Sequence, residues 1–169
     1  MADGRIILLN GTSSAGKTTL SHALRAQLAE PFCLYASDQL ADAGFRPPAP
    51  HQRHAGRERF FDGFHRSIPA FAAAGNDVII EHIVEQRTWA DQLAALIGHL
   101  DVFWIGVHAP LAVLEQRERA RGNRQTGEAA YHLKTHDYCR YDLEADTTSA
   151  PIEQIAADVA AAWRMRAAR

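Results

Sequence analysis

A glycine-rich segment near the N-terminus carries the most specific chemistry in this sequence. Residues 11–18 have the sequence GTSSAGKT, which matches the full pattern G-x-x-x-x-G-K-[ST]. Gly11 and Gly16 permit backbone torsions that let successive N–H groups point inward at phosphate oxygens. Lys17 supplies positive charge to the β- and γ-phosphates, and the hydroxyl of Thr18 suits Mg²⁺. The pattern therefore predicts binding of ATP or GTP. The residues assigned to the nucleotide here are Gly11, Ser13, Ser14, Ala15, Gly16, Lys17, Thr18 and Thr19.

The segment lies where a phosphate-binding loop must lie, between a strand and a helix. Arg5 to Leu9 is a continuous apolar run typical of a buried strand, and Leu20, Leu24 and Leu28 then recur at helical spacing. A chance glycine loop between a strand and a helix is the alternative. The complete motif in this context favours the P-loop, in which the phosphates lie beside the positive end of the helix.

An acidic residue follows the second predicted strand. Asp38 comes directly after the run Phe32 to Ala36, and the carboxyl ends of parallel strands open into one crevice. We therefore expect Asp38 to face the γ-phosphate, where its carboxylate could act as catalytic base and orient an acceptor hydroxyl. Asp38 could instead cap a helix that begins near Gln39, and spacing alone does not separate these interpretations.

The third predicted strand ends in Glu81, beside His82. Glu81 could hold a water molecule bound to Mg²⁺, and together with Thr18 it forms the predicted metal site. A histidine at such a position is more often a hydrogen-bonded polar residue than a ligand, and this is the prediction for His82. Contact of His82 with a substrate is the alternative.

Three arginines form a cluster after the fourth strand. Arg117 and Arg121 share a helix face, and Arg124 follows a glycine, so the segment could be a mobile lid that delivers positive charge to the transferring phosphoryl group. Arg121 and Arg124 are the predicted catalytic arginines, and Arg117 is assigned to the nucleotide. The alternative is a solvated helix face on which Glu115 and Glu118 pair with these arginines.

Histidine pairs and phenylalanines elsewhere have simpler interpretations. His51 with His54, and His132 with His136, have helical or turn spacing but no carboxylate or cysteine to complete a metal site. We expect no structural zinc. Four aromatic side chains are predicted to belong to the hydrophobic core rather than to a substrate-binding pocket, although some of them could contribute to both. These residues are Phe60, Phe61, Phe64 and Phe71.

Short apolar runs alternate with helical patterns along the whole chain, and this order predicts a parallel α/β sheet flanked by helices. The five predicted strands cover residues 5–9, 32–36, 78–80, 101–107 and 141–145. The stretch from Phe45 to Gly56 is rich in Gly, Pro and His and is predicted to be a loop. Pro69 could kink the helix that follows. We find no repeat or linker and expect a single domain over residues 1–169.

Composition narrows the class of protein. The chain has 169 residues, 47% hydrophobic and 22% charged, with a net charge of −2, so a broad basic surface for nucleic acid is not expected. No signal-peptide pattern and no apolar run of membrane-spanning length is visible, and Cys33 and Cys139 are far apart. These features predict a cytoplasmic protein that binds neither membrane nor nucleic acid. They do not indicate an oligomeric state.

Over nearly its whole length the chain resembles chloramphenicol phosphotransferase and its relatives. The segment from Ile6 to Lys17, with its uncommon Ser-Ser-Ala filling, is similar to that family's first strand and loop, and Asp38 falls at the position of the family's catalytic aspartate. Residues 101–107 and 117–124 resemble the family's fourth strand and lid. His136, the pair at 141–142 and residues 146–148 also match, and the last of these turns lies near the adenine in such kinases, which points to Thr148.

The resemblance implies a P-loop kinase of nucleoside-kinase-like fold with a small arginine-rich lid, using ATP and Mg²⁺ to phosphorylate a hydroxyl of a small molecule. Chloramphenicol or a similar antibiotic is the leading acceptor. The chain departs from the family at His82, where the family has a carboxylate, and in the shorter segment containing Pro47, Pro48 and Pro50. Both departures concern the acceptor side. Another metabolite, a nucleotide sugar and a nucleotide-dependent switch without an acceptor remain as alternatives.

Overall fold

A computed structural model describes residues 2–45, 53–121 and 127–166. Its centre is a sheet of five parallel strands in the order β2-β3-β1-β4-β5. The strands are β1 (Ile6–Asn10), β2 (Cys33–Ala36), β3 (Val78–His82), β4 (Val102–His108) and β5 (Leu143–Asp146). The sheet confirms the fold class and strand direction expected from the sequence.

Helices connect the strands and cover both faces of the sheet. They are α1 (Lys17–Gln27), α2 (Ser37–Leu40), α3 (Arg53–Ala73), α4 (Arg87–Ile97), α5 (Leu111–Arg121), α6 (Glu128–His132) and α7 (Ile152–Met165). A π-helical turn at Ala41–Phe45 continues α2, and a 3₁₀ turn at Leu133–Asp137 continues α6.

The largest difference from the sequence-based expectation lies between β2 and β3. The predicted loop from Phe45 to Gly56 is wrong at its end, because α3 already begins at Arg53 and includes Gly56. The sequence left open a helix beginning near Gln39, and α2 lies there but starts two residues earlier, at Ser37. The π-helical turn after it was not expected, since five residues are too few to show helical periodicity. Pro69 lies inside α3, which continues to Ala73.

Strand β1 divides the core in two because its side chains alternate between the faces of the sheet. Ile7 and Leu9 pack with Phe32 and Trp163 on the face covered by α1 and α7. Ile6 and Leu8 pack on the opposite face, among residues of α3 and α4. All five residues of β1 are buried, so the loop that follows it starts from a fixed position.

The four phenylalanines of α3 have different environments. Phe61 and Phe64 are core residues, as expected, and Phe60 is half-buried against the same cluster. Phe71 is 45% exposed and contacts the ring of Tyr35, so its assignment to the core is wrong.

Within the described ranges, no helix has both the length and the apolarity that crossing a membrane requires.

Candidate active site

A cavity of about 240 Å³ opens at the carboxyl ends of β1, β2 and β3. We call it the phosphate cavity. It is lined by Ser13, Ser14, Gly16, Lys17, Thr18, Ala36, Ser37, Asp38, Gln39, Asp42, Glu81, His82, Ile83 and Arg121. The structure therefore brings together residues that the sequence places far apart, including the predicted base, the predicted metal ligands and one of the predicted catalytic arginines.

The glycines of the phosphate loop meet two separate steric requirements. A Cβ on Gly11 would lie 2.3 Å from the carbonyl oxygen of Val107. The first position of the loop after β1 therefore has no room for a side chain. Gly16 has a φ of 96° and precedes the first residue of α1. An L-residue rarely adopts this left-handed conformation, and a Cβ there would also lie 3.2 Å from Thr147.

The interior of the loop has the polar groups that a phosphate needs. Ser14 also has a positive φ of 63°, and its buried hydroxyl has no hydrogen-bond partner among the described residues. A buried hydroxyl without a partner is costly unless a ligand satisfies it. The ammonium of Lys17 donates hydrogen bonds to the carbonyl oxygens of Gly11 (2.7 Å) and Thr12 (2.9 Å), which hold the charge over the loop. These features fit a bound phosphate.

The predicted metal ligands form one hydrogen-bonded group. The hydroxyl of Thr18 donates to Oε2 of Glu81 at 2.7 Å, and the hydroxyl of Ser21 donates to Oε1 at 2.5 Å. In the part of the chain that is described, no group of three or more His, Cys, Asp or Glu residues gathers into a metal site. Mg²⁺ in phosphate sites keeps several waters and takes few protein oxygens, so the oxygens of Thr18 and Glu81 fit it.

Asp38 occupies the first turn of α2 and is exposed in the phosphate cavity. The helix starts at Ser37, so Ala36 is its N-cap residue. The backbone N–H of Ala36 donates to Oε1 of Gln39 at 3.2 Å. The side chain of Gln39 thus caps the N-terminus of the helix. The alternative in which Asp38 caps a helix from Gln39 is therefore wrong, because Asp38 lies inside the helix.

A second cavity, of about 330 Å³, lies on the other side of the phosphate loop. We call it the outer cavity. It is lined by Ser14, Gly16, Thr19, Arg117, Ala120, Arg121, Thr147 and Ile152. Arg121 lines both cavities, and Arg117 and Arg121 share one face of α5 as their spacing indicates.

Arg117 joins the loop to the turn after β5. Its Nη1 donates to the hydroxyl of Thr147 at 2.9 Å and to the carbonyl of Ser14 at 3.3 Å, and Thr147 in turn donates to the carbonyl of Ala15 at 2.7 Å. The neighbouring Thr148 hydrogen-bonds to Asp146 instead. The sequence pointed to Thr148, and only the structure shows that Thr147 is the one of the two adjacent threonines that contacts the loop.

The C-terminal part of α5 is anchored by a buried carboxylate. Glu118 is 3% exposed and accepts hydrogen bonds from the N–H groups of Gly127 (2.8 Å) and Ala129 (2.9 Å). The carbonyl of Ala129 accepts a hydrogen bond from the hydroxyl of Thr12 at 2.6 Å, which ties α6 to the phosphate loop. The interpretation of Glu118 as part of a solvated face is therefore wrong. Arg124 lies outside the described residues.

His82 is buried at the edge of the phosphate cavity and is hydrogen-bonded, as expected. Its Nδ1 lies 3.4 Å from the hydroxyl of Ser37, and its Nε2 lies 2.9 Å from Nε2 of His65. Burial, together with the nearby His65, Lys17 and Arg57, holds the pKa of His82 well below its usual value. Burial likewise lowers the pKa of His65. His65 was not singled out from the sequence, because its spacing within α3 gives no sign of a partner on β3.

The other histidine pairs have protein partners or lie outside the described side chains. His51 is not described, and neither is the side chain of His54. Nδ1 of His132 lies 2.9 Å from the carbonyl of Glu128, and Nδ1 of His136 lies 2.8 Å from the hydroxyl of Tyr141. Burial and the nearby His108 lower the pKa of His136 to about 4.

A third cavity, of about 550 Å³, lies between β2, α2 and α3. We call it the apolar cavity. It is lined by Tyr35, Leu40, Phe45, Gly56, Arg59, Phe60, Gly63, Phe64 and Ser67. Leu40 belongs to the same short helix as Asp38, so this cavity adjoins the element that carries the predicted base. Its aromatic walls suit an apolar ligand body, and Arg59 adds one positive charge.

Comparison of the sequence with known proteins gives one consistent result. The model of the family described as chloramphenicol phosphotransferase-like protein matches residues 4–164. Proteins from two strains of Mycobacterium tuberculosis, each named provisionally as an O-phosphotransferase, are 29% identical to this chain over 94% of its length and 82% of theirs.

The solved structures whose fold is similar to that of this chain include P-loop kinases. A sugar kinase from a Janibacter species has a TM-score of 0.72 at 20% identity, covering 96% of this chain and 95% of its own. The APS kinase of Mycobacterium tuberculosis, solved with AMPPNP and APS, has a TM-score of 0.69 at 20% identity, covering 97% and 99%. At this level of identity the likeness establishes the fold.

Proposed function

The chain belongs to the family of chloramphenicol phosphotransferase-like proteins and is a small-molecule kinase, and from this premise we propose that it transfers the γ-phosphate of ATP to a hydroxyl group of a small acceptor. One observation carries the proposal. Lys17, Asp38 and Arg121 line a single cavity at the carboxyl end of the sheet, although they come from three separate elements. Charge for the phosphates and a carboxylate for the acceptor are thus available in one place.

In the proposed reaction Asp38 accepts the proton of the acceptor hydroxyl while the hydroxyl oxygen forms a bond to the γ-phosphorus. The bond between that phosphorus and the β–γ bridging oxygen breaks, and ADP leaves with the electron pair. The loop N–H groups and Lys17 hold the phosphates, and Arg121 stabilises the charge that spreads over the transferring group. When bound, Mg²⁺ would neutralise phosphate charge, and Thr18 and Glu81 are the residues that would hold it.

The nucleotide base is assigned to the outer cavity. Thr19, Arg117 and Thr147 line it directly beside the loop, and the cavity continues from the phosphate cavity past Arg121. A nucleotide with its phosphates in the loop could therefore extend into it. This placement supports a cofactor role for Arg117 and Thr19, and it favours Thr147 over Thr148.

For the acceptor we propose a hydroxylated molecule with an apolar or aromatic body, of which chloramphenicol is the first to test. The apolar cavity supports this choice because aromatic side chains, among them Phe45 and Phe60, line it next to the helix of Asp38. Other hydroxylated antibiotics, metabolites and nucleotide sugars belong in the same test. A cytoplasmic location, where ATP is available, is part of the proposal.

The experiment is ADP release from ATP and Mg²⁺, measured with and without chloramphenicol and a panel of hydroxylated antibiotics, metabolites and nucleotide sugars. Mass spectrometry of each mixture identifies any compound that has gained a phosphate. Stimulation of ADP release together with a phosphorylated product is the expected result. Tight ATP binding with slow hydrolysis that no compound stimulates would contradict the proposal and favour a nucleotide-dependent switch.

A further inference from the structure

A chain of hydrogen bonds runs from Asp62, on the surface of α3, through Gln92 of α4 to the phosphate cavity. Nε2 of Gln92 donates to Oδ1 of Asp62 at 2.5 Å, and Oε1 of Gln92 lies 2.9 Å from Nδ1 of His65. Nε2 of His65 then lies 2.9 Å from Nε2 of His82, and Nδ1 of His82 lies 3.4 Å from the hydroxyl of Ser37. The chain thus links Asp62 on the surface to Ser37, the neighbour of Asp38.

The surface end of this chain fixes the direction of every hydrogen bond in it. The carboxylate of Asp62 can only accept, so Gln92 turns its amide nitrogen to Asp62 and its oxygen to His65. That oxygen also only accepts, so Nδ1 of His65 carries the proton. A neutral imidazole has one N–H, so Nε2 of His65 accepts from Nε2 of His82.

The same rule continues to the cavity. His82, neutral and protonated on Nε2, has an unprotonated Nδ1, so the hydroxyl of Ser37 must donate its only proton to His82. What Ser37 can still offer to the phosphate cavity is the lone pairs of its oxygen. The residue beside the proposed base is then an acceptor.

Packing holds both imidazoles neutral and in place. His65 is fully buried and His82 is 2% exposed, and neither ring has a carboxylate partner among the hydrogen bonds described. A buried charge without such a partner is strongly unfavourable. The ring of His82 stacks on Trp89 at a centroid distance of 5.9 Å and contacts Phe61 and Phe64, so it has little freedom to turn.

We propose that this chain of hydrogen bonds makes Ser37 a specificity-determining residue. The oxygen of Ser37 accepts a hydrogen bond from the substrate that is to be phosphorylated. The inference rests on the proposed function, and it narrows the substrate class. Besides the hydroxyl that Asp38 deprotonates, the substrate carries a second donor, a hydroxyl or an N–H, within reach of Ser37. Polyols and hydroxy-amides meet this requirement, whereas a simple alcohol or a hydroxyketone does not.

The first test needs neither nucleotide nor acceptor. Two-bond proton–nitrogen NMR correlation spectra of the ¹⁵N-labelled protein report which ring nitrogen of each histidine carries the proton. We expect the Nδ1–H tautomer for His65 and the Nε2–H tautomer for His82. Gln92→Ala removes the group that sets the direction and should leave both rings as mixtures of tautomers, whereas Asp91→Ala, an exposed position on the same helix, should change neither. An Nδ1–H tautomer of His82 in the wild-type protein would overturn the inference.

The second test measures discrimination between donors. Dissociation constants are compared for chloramphenicol, for its analogue with a ketone in place of the secondary alcohol, and for its N-methyl amide. The wild-type protein should bind at least one analogue about two- to tenfold more weakly, the usual effect of one hydrogen bond, and Ser37→Ala should bind that analogue and chloramphenicol equally. Equal discrimination by both proteins would overturn the role of Ser37. Absence of chloramphenicol binding would instead contradict the acceptor proposed above, and the histidine tautomers would then decide the inference.

Discussion

The two ends of the parallel sheet use charged side chains in opposite ways. At the amino end, Arg5 donates to both carboxylate oxygens of Asp77, from Nη2 at 2.6 Å and from Nε at 3.2 Å, and also reaches Glu30 at 3.0 Å. Arg166 pairs with Asp101 at 2.6 Å at the same end. At the carboxyl end, Asp38 and Arg121 line an open cavity. The charges at the amino end pair with each other within the fold and stabilise it, whereas those at the carboxyl end border a space that could hold a ligand. Substitutions at the two ends should therefore separate stability from catalysis.

The largest expected effect is at the carboxyl end. Asp38→Asn removes the proposed base and should lower kcat by about 10²- to 10⁴-fold, the usual contribution of general base catalysis. ATP affinity and the thermal unfolding midpoint should stay close to those of the wild-type protein. Steady-state kinetics, nucleotide titration and calorimetry measure the three quantities.

Asp42→Asn is the matched control, because it removes a carboxylate from the same cavity one turn further along the chain. Its loss of kcat should be much smaller. Comparable losses in the two variants would indicate a general effect of charge in the cavity and would remove the specific role of Asp38.

The next effect separates two arginines of α5. Arg121→Gln should lower kcat by about a hundredfold, since Arg121 lines both cavities and is placed to stabilise charge on the transferring group. Arg119→Gln, at an exposed position on the same helix, should leave kcat unchanged. Equal rates for both variants would exclude Arg121 from the reaction.

At the carboxyl end of the sheet, the sequence predicted the features that depend on consecutive residues better than those that depend on contacts between distant elements. The phosphate loop forms within eight consecutive positions, so its motif was visible without any tertiary contact. The pairs of Arg117 with Thr147 and of His82 with His65 depend on which residues the packing of distant elements brings together, and no local pattern encodes that. The sequence offered helix α2 only as an alternative, with its start two residues too late, because four residues show no periodicity. At the observed start, the backbone N–H of Ala36 donates to the side chain of Gln39, a contact that no sequence pattern indicated.

The amino end should show the reverse behaviour. Asp77→Asn breaks the paired hydrogen bonds to Arg5 and should lower the free energy of unfolding by about 1.5–3 kcal/mol, the range for hydrogen bonds to charged groups. The kcat of the folded variant should equal that of the wild-type protein. Denaturant titration measures the first quantity, with the exposed Asp3→Asn as the control that should not change it. A reduced kcat in Asp77→Asn would break the separation between the two ends.

The same pair has a defined pH dependence. Burial alone would raise the pKa of Asp77, but the hydrogen bonds and the charge of Arg5 hold it below its usual value. The stabilisation is therefore fully present above the pKa of the unfolded chain, about 4, and is lost as pH falls through the lower pKa of the folded state. The difference in unfolding free energy between wild type and Asp77→Asn should shrink as pH is lowered from neutral towards 3.

The smallest expected effect sharpens the comparison within the carboxyl end. Thr147→Ala removes the hydroxyl that joins Arg117 to the phosphate loop, and the KM for ATP should rise about two- to tenfold with kcat unchanged. Thr148→Ala should leave the KM for ATP unchanged, because Thr148 bonds to Asp146. The opposite ranking would place the nucleotide on the other side of the turn.

The position of β1 in the sheet has a consequence for how the protein is made. Strand β1 is early in the chain, yet its two neighbours are β3 and β4, which end at His82 and His108. During synthesis the first strand must wait for both, because pairings between distant segments form only after the intervening chain has been made. The phosphate loop is therefore synthesised before both strands that flank β1, and we expect it to acquire its shape only after the second of them has emerged from the ribosome.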